Sequence, residues 1–516
     1  VNKDLRNKVE ELFPTKLCVT RSGQACKTRV FTVVPGFGPN HNLGVFNNTV
    51  SAVERAFVER YFLCKHSDGY KPAPTPRTGN FRKKWFKWFI RSTLSYMPHL
   101  PVLTYQETLN LFPATKRKVY EKAFESLSRM GPVTAKDARL SSFVKFEKQD
   151  VSKAPRIINP RSPRYNLEVA RYLKHFEHHL FTSINRAFGG YTDATVIKGF
   201  NADRSAQILR QKWDRFKNPI AIGLDATKFD MHVSVDALRY EHSFYNDYWN
   251  SPELKRLLKM QLRNEGVARC RDGEVKFSMA GTRCSGDVNT SLGNCILMCA
   301  MVFAYSWRKC IDLELANNGD DCVVFMDEAD EAKFRGGLKH FFLDCGFVMT
   351  VEETCHEFEQ IEFCQTHPVK LGSGWRMIRN PATCLIKDVM CLKPVQNDKC
   401  FKKWLYAVGT AGCSLNSGVP VLQEFYRALK RNGVKTEKFR NLISAHRFAS
   451  TVGSEGSEEV TDEARASFYF AFGLTPPMQV AMESVLTQRT IGDIDWTEME
   501  RDAMNVEAPG TQILTW

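Results

Sequence analysis

The tetrapeptide Asn318-Gly319-Asp320-Asp321 sits between an apolar run ending at Leu315-Ala316 and a second run, Cys322-Val323-Val324-Phe325-Met326. Two apolar runs joined by Asn-Gly specify a tight β-hairpin, because both turn residues tolerate the positive φ that such a turn requires. The tip of that hairpin carries two carboxylates. Adjacent acids repel unless a cation lies with them, and a pair of divalent ions there can stabilise the attacking and leaving oxygens of a phosphoryl transfer. The same four residues also make an ordinary solvated turn, so the rest of the chain has to discriminate.

Bulk properties narrow the class. A hydrophobic share of 43% with 36 Phe is enough for a large interior and excludes wholesale disorder. The 516 residues allow several domains, or one enzyme with subdomains around a common core. A formal charge of +15 points to a polyanionic partner, either nucleic acid or an anionic membrane. The 16 Cys follow no disulfide spacing and no signal peptide precedes them, which fits a reducing, cytosolic compartment. The longest apolar stretch, Cys295 to Trp307, is too short and interrupted to span a bilayer, so it reads as a buried helix and no transmembrane segment is expected within the chain. The chain begins at Val1 and not at Met, so it reads as a fragment that leaves room for a targeting or membrane segment upstream.

Along the chain, His66 to Asn80 is rich in Pro, Gly, Ser and Thr and reads as an extended linker. It leads into Phe81-Arg82-Lys83-Lys84-Trp85-Phe86-Lys87-Trp88-Phe89-Ile90-Arg91, within a stretch that has no acid between Asp68 and Glu107. Positions 81, 85, 88 and 89 follow helical spacing, which predicts an amphipathic helix with its aromatic residues inward. Its basic face is a plain solvated face, a wall of an RNA channel or a membrane-surface contact. Helical patterns recur from Tyr105 to Met130 and from Leu167 to Phe188. Gly453 to Glu463 and the tail from Asp493 to Glu507 are acidic, read as solvated segments or as segments folding back on the basic body.

Further chemistry clusters around the acids. Pro219-Ile220-Ala221-Ile222-Gly223-Leu224 reads as a strand closed by Asp225, and Asp230 follows at the distance where a chain leaving the strand presents a second polar group nearby. Asp225 is then a candidate third metal ligand, with a strand-end turn as the plainer alternative. Ser285-Gly286-Asp287-Val288-Asn289-Thr290-Ser291-Leu292-Gly293-Asn294 is a hydroxyl-rich loop running into an apolar helix. Thr290 and Asn294 share one helix face, either as ordinary cap residues or as readers of a nucleotide sugar, where Asn294 paired with Asp230 satisfies a ribose 2′-OH. Lys145-Phe146-Glu147-Lys148 and Lys153-Ala154-Pro155-Arg156-Ile157-Ile158 alternate basic and apolar residues, as a basic strand pair suited to a triphosphate or simply exposed.

In order, these pieces resemble the right-hand-shaped viral RNA-dependent RNA polymerases. The closer resemblance is to the replicases of plant viruses in the tombusvirus family. It rests on Asp225-Ala226-Thr227-Lys228-Phe229-Asp230-Met231-His232-Val233, on Ile361-Glu362-Phe363-Cys364-Gln365, on Leu415-Asn416-Ser417-Gly418-Val419-Pro420-Val421-Leu422 and on Val34-Pro35-Gly36-Phe37-Gly38. The resemblance implies an α+β fold with fingers, an antiparallel-sheet palm and a helical thumb. Residues 1–215 would form an N-terminal extension and fingers with a basic motif about 143–160, residues 216–365 the palm with a fingers insertion about 251–284, and residues 366–516 the thumb and acidic tail. It also implies Asp225, Asp320 and Asp321 as ligands of two Mg2+ ions, replaceable by Mn2+. Asp230, Ser285, Gly286, Thr290 and Asn294 would serve ribose selection and loop movement, and Lys145, Lys148, Lys153 and Arg156 the triphosphate. Phe363, Cys364 and Gln365 would lie near the nascent strand, and Arg82, Lys83, Lys84 and Lys87 are further candidate RNA contacts.

Such an enzyme takes template RNA and nucleoside triphosphates and is able to start chains without a primer. In that family this portion follows a leaky stop codon and works with a viral auxiliary replicase protein and host factors. The setting is the host cytoplasm, on organelle membranes held through the upstream segment. One departure stands out: Gly346-Phe347-Val348-Met349-Thr350-Val351-Glu352 lacks the Lys that related polymerases place after the hairpin as proton donor, and Lys339 is the nearest basic residue. A reverse transcriptase or DNA polymerase, and a basic RNA-binding scaffold, are the competing classes. Asp230 with Asn294 argues against the former, and the three acids against the latter. Cys345, Cys355, His356, Cys364 and His367 cluster without the Cys-x2-4-Cys spacing of structural zinc, so no zinc is expected.

Overall fold

A computed structural model describes residues 1–437 and 458–491, apart from 15, 35, 36, 38–41, 394 and 396. Most of Val34–Gly38, all of 453–457 and the acidic tail 493–507 therefore lie outside the described residues. The fold is mixed, with helices in the majority and several small antiparallel sheets.

Four strands carry the chemistry-bearing sequences: in spatial order Leu313–Asn318, Asp321–Asp327, Pro219–Ala226 and Met349–Cys355, all antiparallel. Successive side chains alternate faces. Ile220, Ile222, Leu224, Leu315, Val324 and Met326 enter the core built on helix Thr290–Lys309, while Ala221, Ala316, Val323 and Phe325 enter a second core with Ile208 and Leu209 of helix Ala202–Asp214. Both faces are covered, which is why these strands read as continuous apolar runs and not as polar-apolar alternation. Helix Thr290–Lys309 is apolar all round and buried, and it is the one helix among the described residues long and apolar enough to cross a bilayer.

A second sheet joins the N-terminal third to the middle of the chain: Leu17–Arg21, Gly273–Ala280, Arg263–Cys270 and Leu140–Ser141 pack over helix Val50–Phe57. A C-terminal unit is made of helices Asp398–Leu415, Leu422–Arg431, Asp462–Phe472 and Pro476–Thr487 around the hairpin Thr366–Leu371/Gly374–Arg379. The N-terminal segment crosses to that unit: Thr32–Val33 pairs with Met390–Cys391, and Phe31, Val33 and Val45 join its core. Nothing in the sequence pattern announces this long-range pairing.

The aromatic helix differs in phase from the sequence expectation. It runs Lys84–Ser95, preceded by a short turn at Asn80–Arg82, and its inward residues are Phe86, Phe89 and Thr93. Phe81 is buried from the preceding turn, Trp85 is half-buried and Trp88 is 41% exposed. The helix packs on Thr290–Lys309 and Phe176–Ala187.

The crossing of Asp398–Leu415 with Leu422–Arg431 depends on absent side chains. A Cβ at Gly412 would lie 2.0 Å from the Tyr426 ring, and one at Gly409 2.4 Å from the Lys430 backbone nitrogen. Gly412→Ala is expected to destabilise the protein by about 1–3 kcal/mol through overpacking. Thermal unfolding checks this, and an unchanged Tm would contradict the close approach.

Candidate active site

The acidic hairpin closes through Asn318, which pairs with Asp321, leaving Gly319-Asp320 as its two-residue loop. Gly319 has φ +67 and Asp320 is not in the left-handed region, the pattern of a II′ turn with Gly first. The expectation that Asn318 shares the positive φ is corrected: Asn318 ends the strand. Two buried groups fix the tip from below. Asn317 Nδ2 donates to the carbonyls of Gly319 (2.8 Å) and Asp321 (3.2 Å), and the Gly319 N–H donates to Cys295 Sγ (3.2 Å). Asn317 is itself clamped by backbone bonds to Thr195 and Ile197.

Strand register brings the third acid in. Asp225 is the direct cross-strand partner of Asp321, beside the turn that carries Asp320. Burial pushes the Asp320 carboxyl up; its own N–H and Arg156 pull it down, and Asp225 adds to the rise. Glu352 is pushed up by burial, then by Glu362, Asp225 and Asp321. Like charges facing one another on oxygen donors suit a hard divalent cation. Among the described residues no three His, Cys, Asp or Glu side chains are already gathered as a ligand cage; a site completed by water and substrate phosphates needs none.

Beside Asp320 opens a cavity of about 430 Å3, also lined by Arg60, Tyr61, Lys145, Arg156, Lys228, Asp230, Ser285, Thr290 and Asn294. Asp230 lies in the single turn Phe229–His232, entered through Lys228 at φ +43. Its Oδ1 accepts from Asn294 Nδ2 (3.1 Å), and Asn294 Oδ1 accepts from Arg283 Nε (2.8 Å). Arg283 is paired with Glu241 at 2.6 Å, both at most 1% exposed, and Glu241 also accepts from Asn289 and Tyr245. The Asn294 amide is thereby held in one orientation. A Cβ at Gly293 would lie 2.4 Å from both Arg283 Nη2 and Glu241 Oε1, so the helix passes this pair only through a glycine. Ser285 donates to the Ile157 carbonyl (3.0 Å) and Thr290 to that of Cys284 (2.8 Å). At Gly286, with φ +150, a Cβ would stand 2.9 Å from the Asn159 carbonyl.

The basic residues divide. Lys145 and Arg156 line the cavity and share Glu147 at 2.7 and 3.4 Å. Lys148 does not: it donates to the Lys387 carbonyl at 2.5 Å, withdrawn from water, and burial pulls its ammonium down to about 8. Lys153 is exposed on the turn between Asp150 and Ala154, outside the cavity lining. In their place stand Arg60 and Lys228, which sequence reading did not select. Arg60 donates to the Ala154 carbonyl and Lys228 to that of Glu59, and burial lowers both. Lys339 is exposed on helix Leu338–Asp344, also outside the lining.

A second cavity, about 490 Å3, adjoins along the hairpin at Asn318 and is lined by Phe200, Phe363, Cys364, Arg379, Asn416 and Tyr426 among others. Cys364 (φ +52) and Gln365 (φ +61) form its turn, and Asn318 Nδ2 donates to Cys364 Sγ at 3.5 Å. Phe363 is anchored in the core while Gln365 is exposed. Arg82, Lys83, Lys84 and Lys87 are not brought to either cavity: their helix packs at the Trp307 end of Thr290–Lys309, about 25 Å from Thr290 at 1.5 Å per residue. Of the thiols and imidazoles weighed for zinc, Cys345 accepts from Asn80, Cys355 donates to the Gln360 carbonyl, and His367 Nδ1 lies 3.0 Å from the Glu359 carbonyl.

With this geometry in place, the chain is identified by comparison. It belongs to the viral RNA-dependent RNA polymerase family, whose model matches residues 17–492. It is 44% identical over 480 residues to the RNA-directed RNA polymerase of Tobacco necrosis virus (strain A), covering 90% of this chain and 65% of that protein. It is 42% identical over 470 residues to that of Turnip crinkle virus (88% and 59%), and 38% over 494 residues to that of Tomato bushy stunt virus (strain Cherry) (94% and 59%). The chain spans 59–66% of the length of the curated relatives it matches.

Burial raises the Asp230 carboxyl, against the pull of Arg283 and Asn294. An acid raised in the folded state costs nothing while protonated and destabilises as pH climbs through its folded pKa. Asp230→Asn, which keeps an oxygen for Asn294, is therefore expected to raise Tm by about 1–2 °C near pH 8. The gain shrinks as pH falls toward the ordinary carboxylate range, where the acid is protonated in both states. A lowered Tm at pH 8 would contradict the burial argument.

Proposed function

We propose that this chain is the catalytic body of an RNA-directed RNA polymerase that copies and transcribes a positive-strand RNA genome. The growing strand's 3′-OH attacks the α-phosphate of a nucleoside triphosphate, and pyrophosphate leaves. The observation that carries this reading is the register that sets Asp225 against Asp321 beside Asp320, next to a cavity with an acid–amide pair on one wall and cations on another. On this reading residues 216–365 are the palm, with a fingers insertion about 251–284. Residues 1–215 supply the fingers and N-terminal extension, and 366–516 the thumb and tail, in a right-hand arrangement.

Asp225, Asp320 and Asp321 would hold two Mg2+ ions, with Mn2+ able to substitute. When bound, such ions lower the pKa of the 3′-OH and neutralise charge on the phosphates. Of these three, Asp320 lines the cavity and is assigned the indispensable role, Asp321 the more tolerant one. Lys145 and Arg156, joined by Arg60 and Lys228, face the triphosphate as fixed cations. Asp230 and Asn294 offer an acceptor and a donor to the ribose 2′-OH; a DNA-selective site would instead close against that hydroxyl. Ser285 and Gly286 couple the Ile157–Asn159 segment to this loop, and Phe363-Cys364-Gln365 borders the path of the nascent strand. Initiation without a primer belongs to the same proposal. So does a setting on host cytoplasmic organelle membranes, with an auxiliary replicase protein and host factors, held through a segment outside these 516 residues.

Incorporation of labelled ribonucleotides on a short RNA, with and without primer, tests the assignment. Asp320→Ala is expected to fall to background while RNA affinity stays within about twofold, because backbone phosphates dominate affinity; Asp321→Asn should retain more activity than Asp320→Asn. Persistent polymerisation by Asp320→Ala would remove that residue from the site.

A second set of variants tests the sugar reading. Asn294→Ala should reduce the ribo- over deoxyribonucleotide ratio of kcat/KM by roughly 10- to 100-fold, the value of one or two buried hydrogen bonds. Arg283→Lys keeps the buried charge but loses the fork that holds Asn294, and should move the same ratio in the same direction. Undisturbed discrimination in both variants would refute the sugar assignment.

A further inference from the structure

The face of helix Lys84–Ser95 turned away from the core is both basic and aromatic. Lys84, Lys87, Trp88 and Arg91 stand at i, i+3, i+4 and i+7, so they share one stripe, and all four are exposed. Trp307, 52% exposed on the last turn of the central helix, packs edge-to-face on Trp88 at 6.1 Å and 82°; Trp88 does the same with Trp85 at 5.2 Å and 87°. Arg82 and Lys83 precede this stripe in sequence and Arg308 and Lys309 follow Trp307, adding positive charge to the same two segments. No acid occurs between Asp68 and Glu107, and among the described residues none of these Lys and Arg side chains is ion-paired. Exposed indoles beside cations with no acid partner mark a surface suited to something both apolar and anionic.

We infer that this face docks on the surface of an anionic lipid bilayer, with Trp88 and Trp307 at headgroup depth and the surrounding Lys and Arg against lipid phosphates and carboxylates. Indoles are favoured at that depth because one edge is apolar and the other wet, and each nearby cation adds attraction to an anionic leaflet. Single-stranded RNA is the other polyanion that seeks aromatic residues, but it needs open ring faces for stacking. Here Lys84 Nζ covers the Trp85 face at 4.3 Å and lies 5.7 Å from the Trp88 centroid, and the rings present edges to one another. The patch is also the far end of a helix whose first turn lines the cavity beside Asp320, so a bilayer held there leaves that cavity open to solvent. This contact is separate from any anchor outside the chain and does not depend on the polymerase reading.

Flotation of the 516-residue chain with phosphatidylcholine vesicles, with and without phosphatidylserine, tests the inference. The wild type should float with the anionic vesicles and little with the neutral ones, and added salt should weaken the binding. At roughly fivefold per cation, Lys84→Glu/Lys87→Glu/Arg91→Glu should reduce partitioning on the order of a hundredfold or more. Trp88→Ser/Trp307→Ser should reduce it by about tenfold. Both variants sit on the surface and should keep Tm within about 2 °C. The inference is overturned if the wild type ignores anionic vesicles, or if folded variants float as the wild type does. Loss of affinity for a single-stranded RNA with flotation retained would assign the face to RNA instead.

Discussion

The antiparallel pairing of Pro219–Ala226 with Asp321–Asp327 is the constraint on which the remainder of the molecule depends. A shift of one residue would turn Asp225 to the opposite face and drive Ile220, Ile222 and Leu224 into the second core, where Ala221 now fits, so the two apolar cores fix the position of the acids. Burial on both faces makes that register costly to leave. The carboxylates stand at the strand ends, where the sheet stops and the core no longer competes for them. Stability and chemistry therefore share one set of strands without sharing side chains.

The helix Thr290–Lys309 carries that constraint outward. Its first turn presents Thr290 and Asn294 to the cavity, its middle fills the larger core, and its last turn presents Trp307. The buried Arg283–Glu241 pair acts at the cavity end. Removing one partner from such a pair typically costs about 3–5 kcal/mol, so its retention beside Asn294 is best understood as fixing an amide orientation, since a hydrophobic pair would stabilise the fold as well.

Much of this was legible in the sequence, for definable reasons. The Asp320–Asp321 hairpin, the strand ending at Asp225, the helix carrying Thr290 and Asn294 and the burial of the Cys295–Trp307 run short of Trp307 itself all follow from local rules of turn chemistry and continuous apolar patterning. The phase of helix Lys84–Ser95 was misread because a preceding turn, not the helix, buries Phe81. Lys148 and Lys153 were grouped with Lys145 and Arg156 by proximity in sequence, whereas the strand pair Phe143–Val144/Ile157–Ile158 brings only its own flanks to the cavity. Arg60, Lys228 and Arg283 were missed because their positions are set by contacts distant in sequence, Lys228 with Glu59 and Arg283 with Glu241. So was the pairing of Thr32–Val33 with Met390–Cys391, which ties the chain's beginning to its C-terminal helices.

The reaction is read most directly by sequencing the product that this chain makes from an unlabelled RNA of mixed sequence, supplied with all four ribonucleoside triphosphates and Mg2+. The geometry around Asp225, Asp320 and Asp321 predicts an RNA complementary to the template along its length, and no product once the metal is chelated. Product unrelated to the template, or synthesis undiminished by chelation, would contradict the account.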